Sequence, residues 1–211
     1  MNETLVKFFA FTNLVGKLKK IERFKDQYYW RDYPFVDRYE SVADHCWRLA
    51  LLVVLFSQKL SQKFDSEKAL MMALIHDLPE IIAGDESPLG KDGTGQKSHA
   101  FNEEVQKSRH LSEKQAAKKV FGHLPAEKGD ELLGLWLEFE EQISFESKVV
   151  KALDRLEAGI QVLEYTDGEL FPKHLEFALS YNVKGSEVDP AIAEFAKLIE
   201  SEFRKKYKEF R

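Results

Sequence analysis

Apolar residues recur at helical spacing along most of the chain, and the strict alternation of half-buried strands is absent. The pattern predicts a first amphipathic helix that ends near Phe24 and a second helix from Ser41 to about Leu60. A third helix is predicted from Ser66 to about Asp77. Further helices are predicted over residues 102–121, after Pro125, in the stretch SFESKVVKALDRLEAGIQVLEYT and at the C-terminal end. The predicted fold class is therefore all-α.

Local signals mark where two of these elements begin and end. Ser41 is predicted to be a helix N-cap, with Asp44 three residues later completing an approximate capping box. The stretch GDESPLGKDGTGQKSH is rich in glycine and polar residues, which predicts a loop. A loop of this length is more often a functional lid than a simple connector.

Composition limits the possible classes of protein. The 211 residues suffice for one sizeable domain, and 44% apolar with 32% charged residues is typical of a globular chain. The formal net charge of -5 argues against binding to long nucleic acids but permits a small anionic substrate. No apolar run is long enough to span a membrane, and the N-terminal segment is expected to pack on the core. Cys46 is the single cysteine, which excludes an intrachain disulfide and favours a reducing cytoplasm.

Ionisable residues lie on the predicted buried faces of three helices. His45 shares a face with Leu49, Leu52 and Phe56, which follow it at helical spacing. His76 and Asp77 end the next helix, and Asp154 lies beside the apolar stripe of a later one. Each alone has an ordinary explanation: an inward histidine is often a hydrogen-bonded core residue, and Asp154 could pair with Arg155 at the surface.

The joint pattern favours a metal site. A buried carboxylate without a partner is strongly disfavoured, so these groups need one. Two imidazoles and two carboxylates suit a divalent transition metal and leave coordination positions for water and substrate.

The order His, His-Asp, Asp on successive helices resembles the HD-domain superfamily of metal-dependent phosphohydrolases. More narrowly, the segments ESVADHCWRLALLV, ALIHDLPEIIAGD and VVKALDRLEAGIQVLEY are similar to its 5′-deoxynucleotidase branch. The resemblance implies an HD-domain helical bundle with a divalent-metal site between helices. It implies one domain over residues 1–211, with a motif-bearing core of about 14–166 and a helical extension of about 167–211.

The resemblance also implies roles for particular residues. His45, His76, Asp77 and Asp154 would be the metal ligands. Glu80 and Asp85 match acidic positions where the family places catalytic carboxylates, which would act on the attacking water and the leaving group, in either assignment. The plainer alternative for these two residues is helix termination and solvation of the loop.

A basic residue near the end of the first helix resembles the arginine that the nucleotidase branch uses on phosphate. This is Arg23, which is followed by Phe24 where the family usually has a tryptophan; Trp30 comes later. Arg31 or Arg38 could bind the phosphate instead. Basic residues of the predicted lid, Lys91, Lys97 and His99, are expected to be solvated.

The leading hypothesis is a 5′-nucleotidase that hydrolyses (deoxy)nucleoside 5′-monophosphates to nucleoside and phosphate. The alternatives are a phosphodiesterase or nucleoside triphosphohydrolase on the same scaffold, and a metal- or nucleotide-binding regulatory module without turnover. The ligand set admits Mn²⁺, Co²⁺, Fe²⁺, Zn²⁺ or Ni²⁺, and Mg²⁺ more weakly. Kinship with the family suggests a homodimer.

Overall fold

The computed structural model describes residues 2–25, 38–90, 92–165 and 172–208, and these residues contain helices but no β-sheet. A single isolated bridge pairs Glu22 with Ser41. The α-helices are α1 (Glu3–Val15), α2 (Val42–Phe56), α3 (Ser66–Ile75), α4 (Glu80–Ala83), α5 (Glu103–Phe121), α6 (Ala126–Glu140), α7 (Phe145–Tyr165), α8 (Pro172–Phe177) and α9 (Pro190–Lys208). Short 3-10 turns span Gly16–Lys20 and Ser186–Val188, and a π-helical turn spans Ala178–Asn182. The all-α prediction is confirmed.

Helices α2, α3 and α7 form the centre of the bundle. Leu49 and Val53 of α2 pack with Met72 of α3 and with Val150 and Leu153 of α7, and all five are fully buried. Each such side chain contributes about 1.5–3 kcal/mol to folding through burial alone. Helix α9 adds Ile192 and Phe203 to the same cluster. The three helices that carry the predicted histidines and Asp154 are thus held in the best-packed part of the molecule.

The start of α2 follows the predicted capping box. The hydroxyl of Ser41 accepts a hydrogen bond from the Asp44 N–H at 3.2 Å, and the Asp44 carboxylate accepts one from the Ser41 N–H at 2.9 Å. Because the free N–H groups of a helix start need acceptors, this reciprocal pair fixes where α2 begins. His45 follows directly in the first turn.

The N-terminal prediction was only partly right. Helix α1 ends at Val15 instead of near Phe24, and a 3-10 turn and an extended segment follow it. Phe24 has a positive φ of 69°, which a continuous helix cannot contain. Only the C-terminal end of α1 packs on the core, and no residue of the helix is fully buried. None of the described helices is long and apolar enough to cross a membrane.

The predicted loop lies between α4 and α5. Its Leu89 and Ala100 pack with Phe177, which joins this loop to the C-terminal part of the chain. Gly95 has a φ of 77°, and a Cβ there would lie 2.7 Å from the Phe177 ring, so this close approach needs glycine. The loop is therefore anchored at a defined place beside the site.

Candidate functional site

The four side chains that sequence predicts as metal ligands converge in the structure. Nε2 of His45 lies 3.3 Å from Nε2 of His76 and 3.1 Å from Oδ1 of Asp154. Oδ2 of Asp77 lies 3.1 Å from Nε2 of His76 and 3.6 Å from Nε2 of His45. Residues that are far apart in sequence thus direct their donor atoms to one point between α2, α3 and α7.

The end of α3 places two of these donors. Helix α3 ends at Ile75, because Pro79 has no N–H to donate to the Ile75 carbonyl; the Leu78 N–H bonds to that carbonyl instead, at 3.1 Å. The His76 N–H still bonds to the Met72 carbonyl at 3.0 Å, and α4 begins at Glu80 after one turn. This break lets consecutive residues, His76 and Asp77, face the same point.

Hydrogen bonds to the far side of each imidazole set its orientation. Nδ1 of His76 lies 3.0 Å from the Ala73 carbonyl, which can only accept, so Nδ1 carries the proton. Nδ1 of His45 donates to Oε2 of Glu157, a fully buried carboxylate. Both Nε2 atoms therefore offer a lone pair to the cluster. The Trp136 indole N–H donates to the His76 carbonyl at 2.9 Å and ties α6 to the same place.

The geometry and charge of the cluster fit a bound cation. Two nitrogen ligands at about 2.0–2.1 Å from a tetrahedral metal are about 3.3 Å apart, as the two Nε2 atoms are. Burial and Arg23 lower the pKa of His45, but Glu157 and Asp154 outweigh them and raise it to about 10. Burial opposes ionisation of Asp77, but the neighbouring His76 holds the pKa of that carboxyl below its usual range. The surroundings thus favour positive charge at this point.

Two further groups of three donors adjoin the cluster. One consists of Cys46, His76 and Asp77, and Cys46 is buried. The other consists of Glu40, His45 and Glu157. The two carboxylates of the second group already have a cationic partner, Arg48, which lies 3.0 Å from Glu40 and 2.6 Å from Glu157.

Glu80 and Asp85 lie near the cluster in different settings. Glu80 is buried, and among the described residues its Oε2 has no hydrogen-bond partner. Burial, together with Asp77 and Asp85, raises the pKa of Glu80 well above its usual value. Burial likewise raises the pKa of Asp85, which follows Gly84, a residue with a φ of 81°. In both groups burial therefore favours the protonated form relative to an exposed carboxyl group.

The cluster opens onto a cavity of about 550 Å³. His76, Asp77 and Glu80 form part of its wall. The same wall carries basic side chains: Lys107, Arg109, Lys151, Arg155 and Lys184. A second cavity of about 670 Å³ lies on the other side of the loop and is lined by Asp85 and Phe24. His99 borders both cavities, so the loop separates them.

Arg23 lies next to the cluster but is held by carboxylates. Its Nη1 is 2.9 Å from Glu40 and 3.4 Å from Glu157, and both ion pairs use this one nitrogen. Arg23 is not among the described residues that line the two cavities. Arg38, the alternative phosphate ligand, pairs with Asp44 at 2.7 Å, and 70% of its side chain is exposed.

The remaining basic residues that sequence considered fall into two groups. Lys97 is exposed, as predicted. His99 is half-buried against Arg109, and burial followed by the Arg109 charge lowers the pKa of His99 to about 3. Arg31, Lys91 and Trp30 lie outside the described residues.

Sequence reasoning missed two residues of α7 that contact the cluster. Glu157 holds His45, and Lys151 lies 3.4 Å from Oδ2 of Asp154. Both are three residues from Asp154, on opposite sides of it in sequence. Since residues three apart share a helix face, this spacing was the signal that could have identified them.

The chain matches known proteins in sequence and in structure. The sequence model of the family described as "HD domain" matches residues 15–196. Human 5′-deoxynucleotidase HDDC2 is 33% identical over 166 residues, which are 79% of this chain and 72% of the human protein. The Saccharomyces cerevisiae 5′-deoxynucleotidase YGK1 is 29% identical over 156 residues, 74% of this chain and 65% of the yeast protein.

Solved structures share the architecture. A predicted metal-dependent phosphohydrolase from Magnetospirillum magnetotacticum superimposes with a TM-score of 0.71 at 23% identity, covering 96% of this chain and 94% of that one. A conserved hypothetical protein from Pyrococcus furiosus superimposes with a TM-score of 0.62 at 28% identity, covering 90% and 99%. The helical arrangement is common to all three chains.

Proposed function

Because the chain belongs to the HD-domain family of metal-dependent phosphohydrolases, we propose that it hydrolyses (deoxy)nucleoside 5′-monophosphates to nucleoside and phosphate. The relatives named 5′-deoxynucleotidases support this substrate class. The observation that carries the proposal is the donor cluster, which lies in the wall of a cavity rich in basic side chains. A cavity of this size and charge suits a small anion.

His45, His76, Asp77 and Asp154 are proposed to hold one divalent cation. Bound there, a cation lowers the pKa of a ligated water and neutralises charge on phosphoryl oxygens. The donor set of imidazole and carboxylate groups suits Mn²⁺, Co²⁺, Fe²⁺, Zn²⁺ or Ni²⁺ better than Mg²⁺. Glu157 and the Ala73 carbonyl keep both imidazoles in the tautomer that leaves Nε2 free.

Glu80 and Asp85 are proposed to move protons. Glu80 lines the cavity beside Asp77, and its unpartnered oxygen can take a proton from the attacking water. Asp85 lies on the other side of the loop and can supply a proton to the leaving 5′ oxygen, and the two roles can be exchanged. Burial raises the pKa of both carboxyl groups, which is the direction that favours proton transfer by a carboxyl group near neutral pH.

Arg23 is proposed to contact the substrate phosphate. Its two ion pairs both use Nη1, so the other edge of the guanidinium keeps its N–H groups for phosphate oxygens. The same ion pairs, to Glu40 and Glu157, fix the position of the side chain. Arg23 would thus approach the cluster from the connection between α1 and α2.

The test is release of inorganic phosphate from a panel of substrates, with and without a chelator and with each divalent metal restored. The panel contains 2′-deoxy- and ribonucleoside 5′-monophosphates, nucleoside triphosphates and phosphodiesters. We expect release from the 2′-deoxynucleoside 5′-monophosphates, lost on chelation. Turnover confined to triphosphates or diesters would support the alternative phosphohydrolase, and binding without any turnover would support a regulatory module.

The outer face of α2 supports a homodimer. Trp47, Leu51, Val54 and Leu55 form an apolar stripe at helical spacing and are 44–66% exposed. A contiguous exposed apolar face is unusual on a monomer and typical of an interface. Light scattering should give twice the chain mass of 24.5 kDa, and Leu55→Glu should halve it. Leu198→Glu, on the exposed face of α9, is the matched control that should leave the mass unchanged.

The compartment follows from the cysteine content. A reducing cytoplasm is proposed because Cys46, the single cysteine, is buried and has no disulfide partner.

A further inference from the structure

We propose that Lys151 binds a phosphoryl oxygen of the substrate from the α7 side of the cavity. This inference rests on the proposed phosphatase function and names a further residue of its phosphate site. Lys151 lines the cavity that contains His76, Asp77 and Glu80, and 22% of its side chain is exposed.

The ammonium of Lys151 has carboxylates nearby but no hydrogen bond among the described residues. Its Nζ is 3.4 Å from Oδ2 of Asp154 and 3.7 Å from Oε1 of Glu140. Both distances exceed the 2.7–3.2 Å of a good N–H···O bond. The Phe139 ring lies 4.6 Å from Nζ and supports the charge from one side. The ammonium of Lys151 carries three N–H groups, and its ion pairs with Asp154 and Glu140 are long. A phosphate oxygen at hydrogen-bonding distance would therefore be a better acceptor.

Asp154 places Lys151 beside the proposed cation. Its Oδ1 lies 3.1 Å from Nε2 of His45, within the donor cluster, while its Oδ2 faces Lys151. The two oxygens of one carboxylate therefore link the cluster to Nζ. A phosphoryl group held at the cluster would have an oxygen within reach of this ammonium.

Arg109, the cavity cation nearest Glu80, is less free to serve. Nε of Arg109 is bound to Glu113 at 2.6 Å, and its Nη2 lies 3.8 Å from Glu80. Arg109 is thus directed toward the proton-transfer carboxyl and away from Asp154. Lys151 differs because its neighbours leave its N–H groups unbonded, and a compact ammonium binds phosphate as a point charge.

The test compares Lys151→Met with Lys148→Met in the metal-loaded protein. Lys148 precedes Lys151 by one helical turn on α7 and is exposed, so it controls for loss of one positive charge from this helix. The probe is inorganic phosphate, with the dissociation constant measured by calorimetry, and metal content is measured in the same samples. A hydrogen bond to a charged group corresponds to about 10–100-fold in affinity. We expect Lys151→Met to weaken phosphate by that factor, Lys148→Met to leave it unchanged, and both to retain the metal.

Two further measurements separate phosphate binding from a structural role. Binding of a 2′-deoxynucleoside, which lacks the phosphate, should be equal in both variants. Lys151→Arg should keep most of the phosphate affinity and serves if the methionine variant does not fold.

Each remaining outcome has one meaning. Equal phosphate affinity in Lys151→Met and Lys148→Met overturns the inference, as does loss of metal in Lys151→Met, which would mean that Lys151 acts only by supporting Asp154. Absence of phosphate release by the unsubstituted protein would instead overturn the proposed function. The two failures are therefore distinguishable.

Discussion

Replacing Glu157 by glutamine should weaken cation binding while preserving the shape of the side chain. Glu157 is fully buried, and its two oxygens have different partners: Oε2 accepts from Nδ1 of His45, and Oε1 accepts from Nε of Arg48 at 2.6 Å. An amide has one oxygen and one NH₂ group. Arg48 and Arg23 both only donate, but the 2.6 Å contact of Arg48 with Oε1 is much shorter than the 3.4 Å contact of Arg23 with Oε2, so we expect the oxygen to face Arg48 and the NH₂ group to face His45.

This arrangement reverses the tautomer of His45. Facing an NH₂ donor, Nδ1 must accept, so the proton of the neutral ring moves to Nε2, the atom that points into the cluster. Loss of a carboxylate partner behind a ligating histidine typically costs 10–100-fold in metal affinity, which is about 1.4–2.8 kcal/mol. Because glutamine and glutamate side chains have nearly the same volume, this loss should not come from a cavity.

Glu164→Gln is the matched control. Glu164 is on the same helix and also contacts Arg48, through Nη1, but it is half exposed and does not touch His45. Exposed ion pairs contribute only about 0–1 kcal/mol, so this change should leave cation affinity unaltered. The assay is competition with a chromogenic chelator for Mn²⁺ or Zn²⁺, alongside thermal unfolding of the chelated proteins. Equal affinities in Glu157→Gln and Glu164→Gln would refute the argument that Glu157 sets the tautomer of His45.

Three more outcomes test the site and its support. Glu80→Ala should lower kcat by about 10²–10⁴-fold with metal content retained, whereas Asp77→Ala should lose the metal; metal loss in Glu80→Ala would contradict the proton-transfer role. Arg23→Ala should raise KM or lower kcat/KM for nucleotides without changing metal content, and unchanged kinetics would exclude it from the phosphate site. The hydrogen bond from Arg38 lowers the pKa of Asp44 to about 2 from 3.8, so its stabilisation is complete above pH 3.8 and is lost as the pH falls through 2. Asp44→Asn should therefore cost at most about 1 kcal/mol in denaturant unfolding at pH 7 and nothing well below pH 2, and a cost that persisted there would contradict this.

The helical spacing of the apolar residues was sufficient to predict that the two histidines of the cluster point inward. His45 follows the apolar positions of α2, and His76 follows those of α3, so the packing that buries the apolar residues also directs the histidines inward. The N-cap at Ser41 was predictable for a similar reason, because it depends on residues three apart. Such short-range rules do not depend on the rest of the fold.

The partners of buried charges could not be predicted in the same way. Arg23 pairs with Glu157, which is 134 positions away, and no local pattern indicates that contact. Lys151 and Glu157 share the helix face of Asp154, but their partners come from other helices: Glu157 contacts His45 of α2, and Lys151 contacts Phe139 of α6. The end of α1 was mispredicted because apolar residues continue at helical spacing beyond Val15, where the helix ends. Much of α1 faces outward, so its apolar pattern does not follow the buried face.

The spacing of the donors along the chain affects how fast proteases degrade the protein. His45 and His76 are 31 positions apart, and Glu157 lies 112 positions from the histidine it holds, so the cluster exists only after α2, α3 and α7 have assembled. A cation held there binds the native state and not the unfolded chain, and at 100 times its dissociation constant it adds about 2.7 kcal/mol to stability. The transiently opened fraction that proteases attack would then fall about 100-fold. The supply of divalent metal would thereby regulate the abundance of the protein, independently of its effect on turnover.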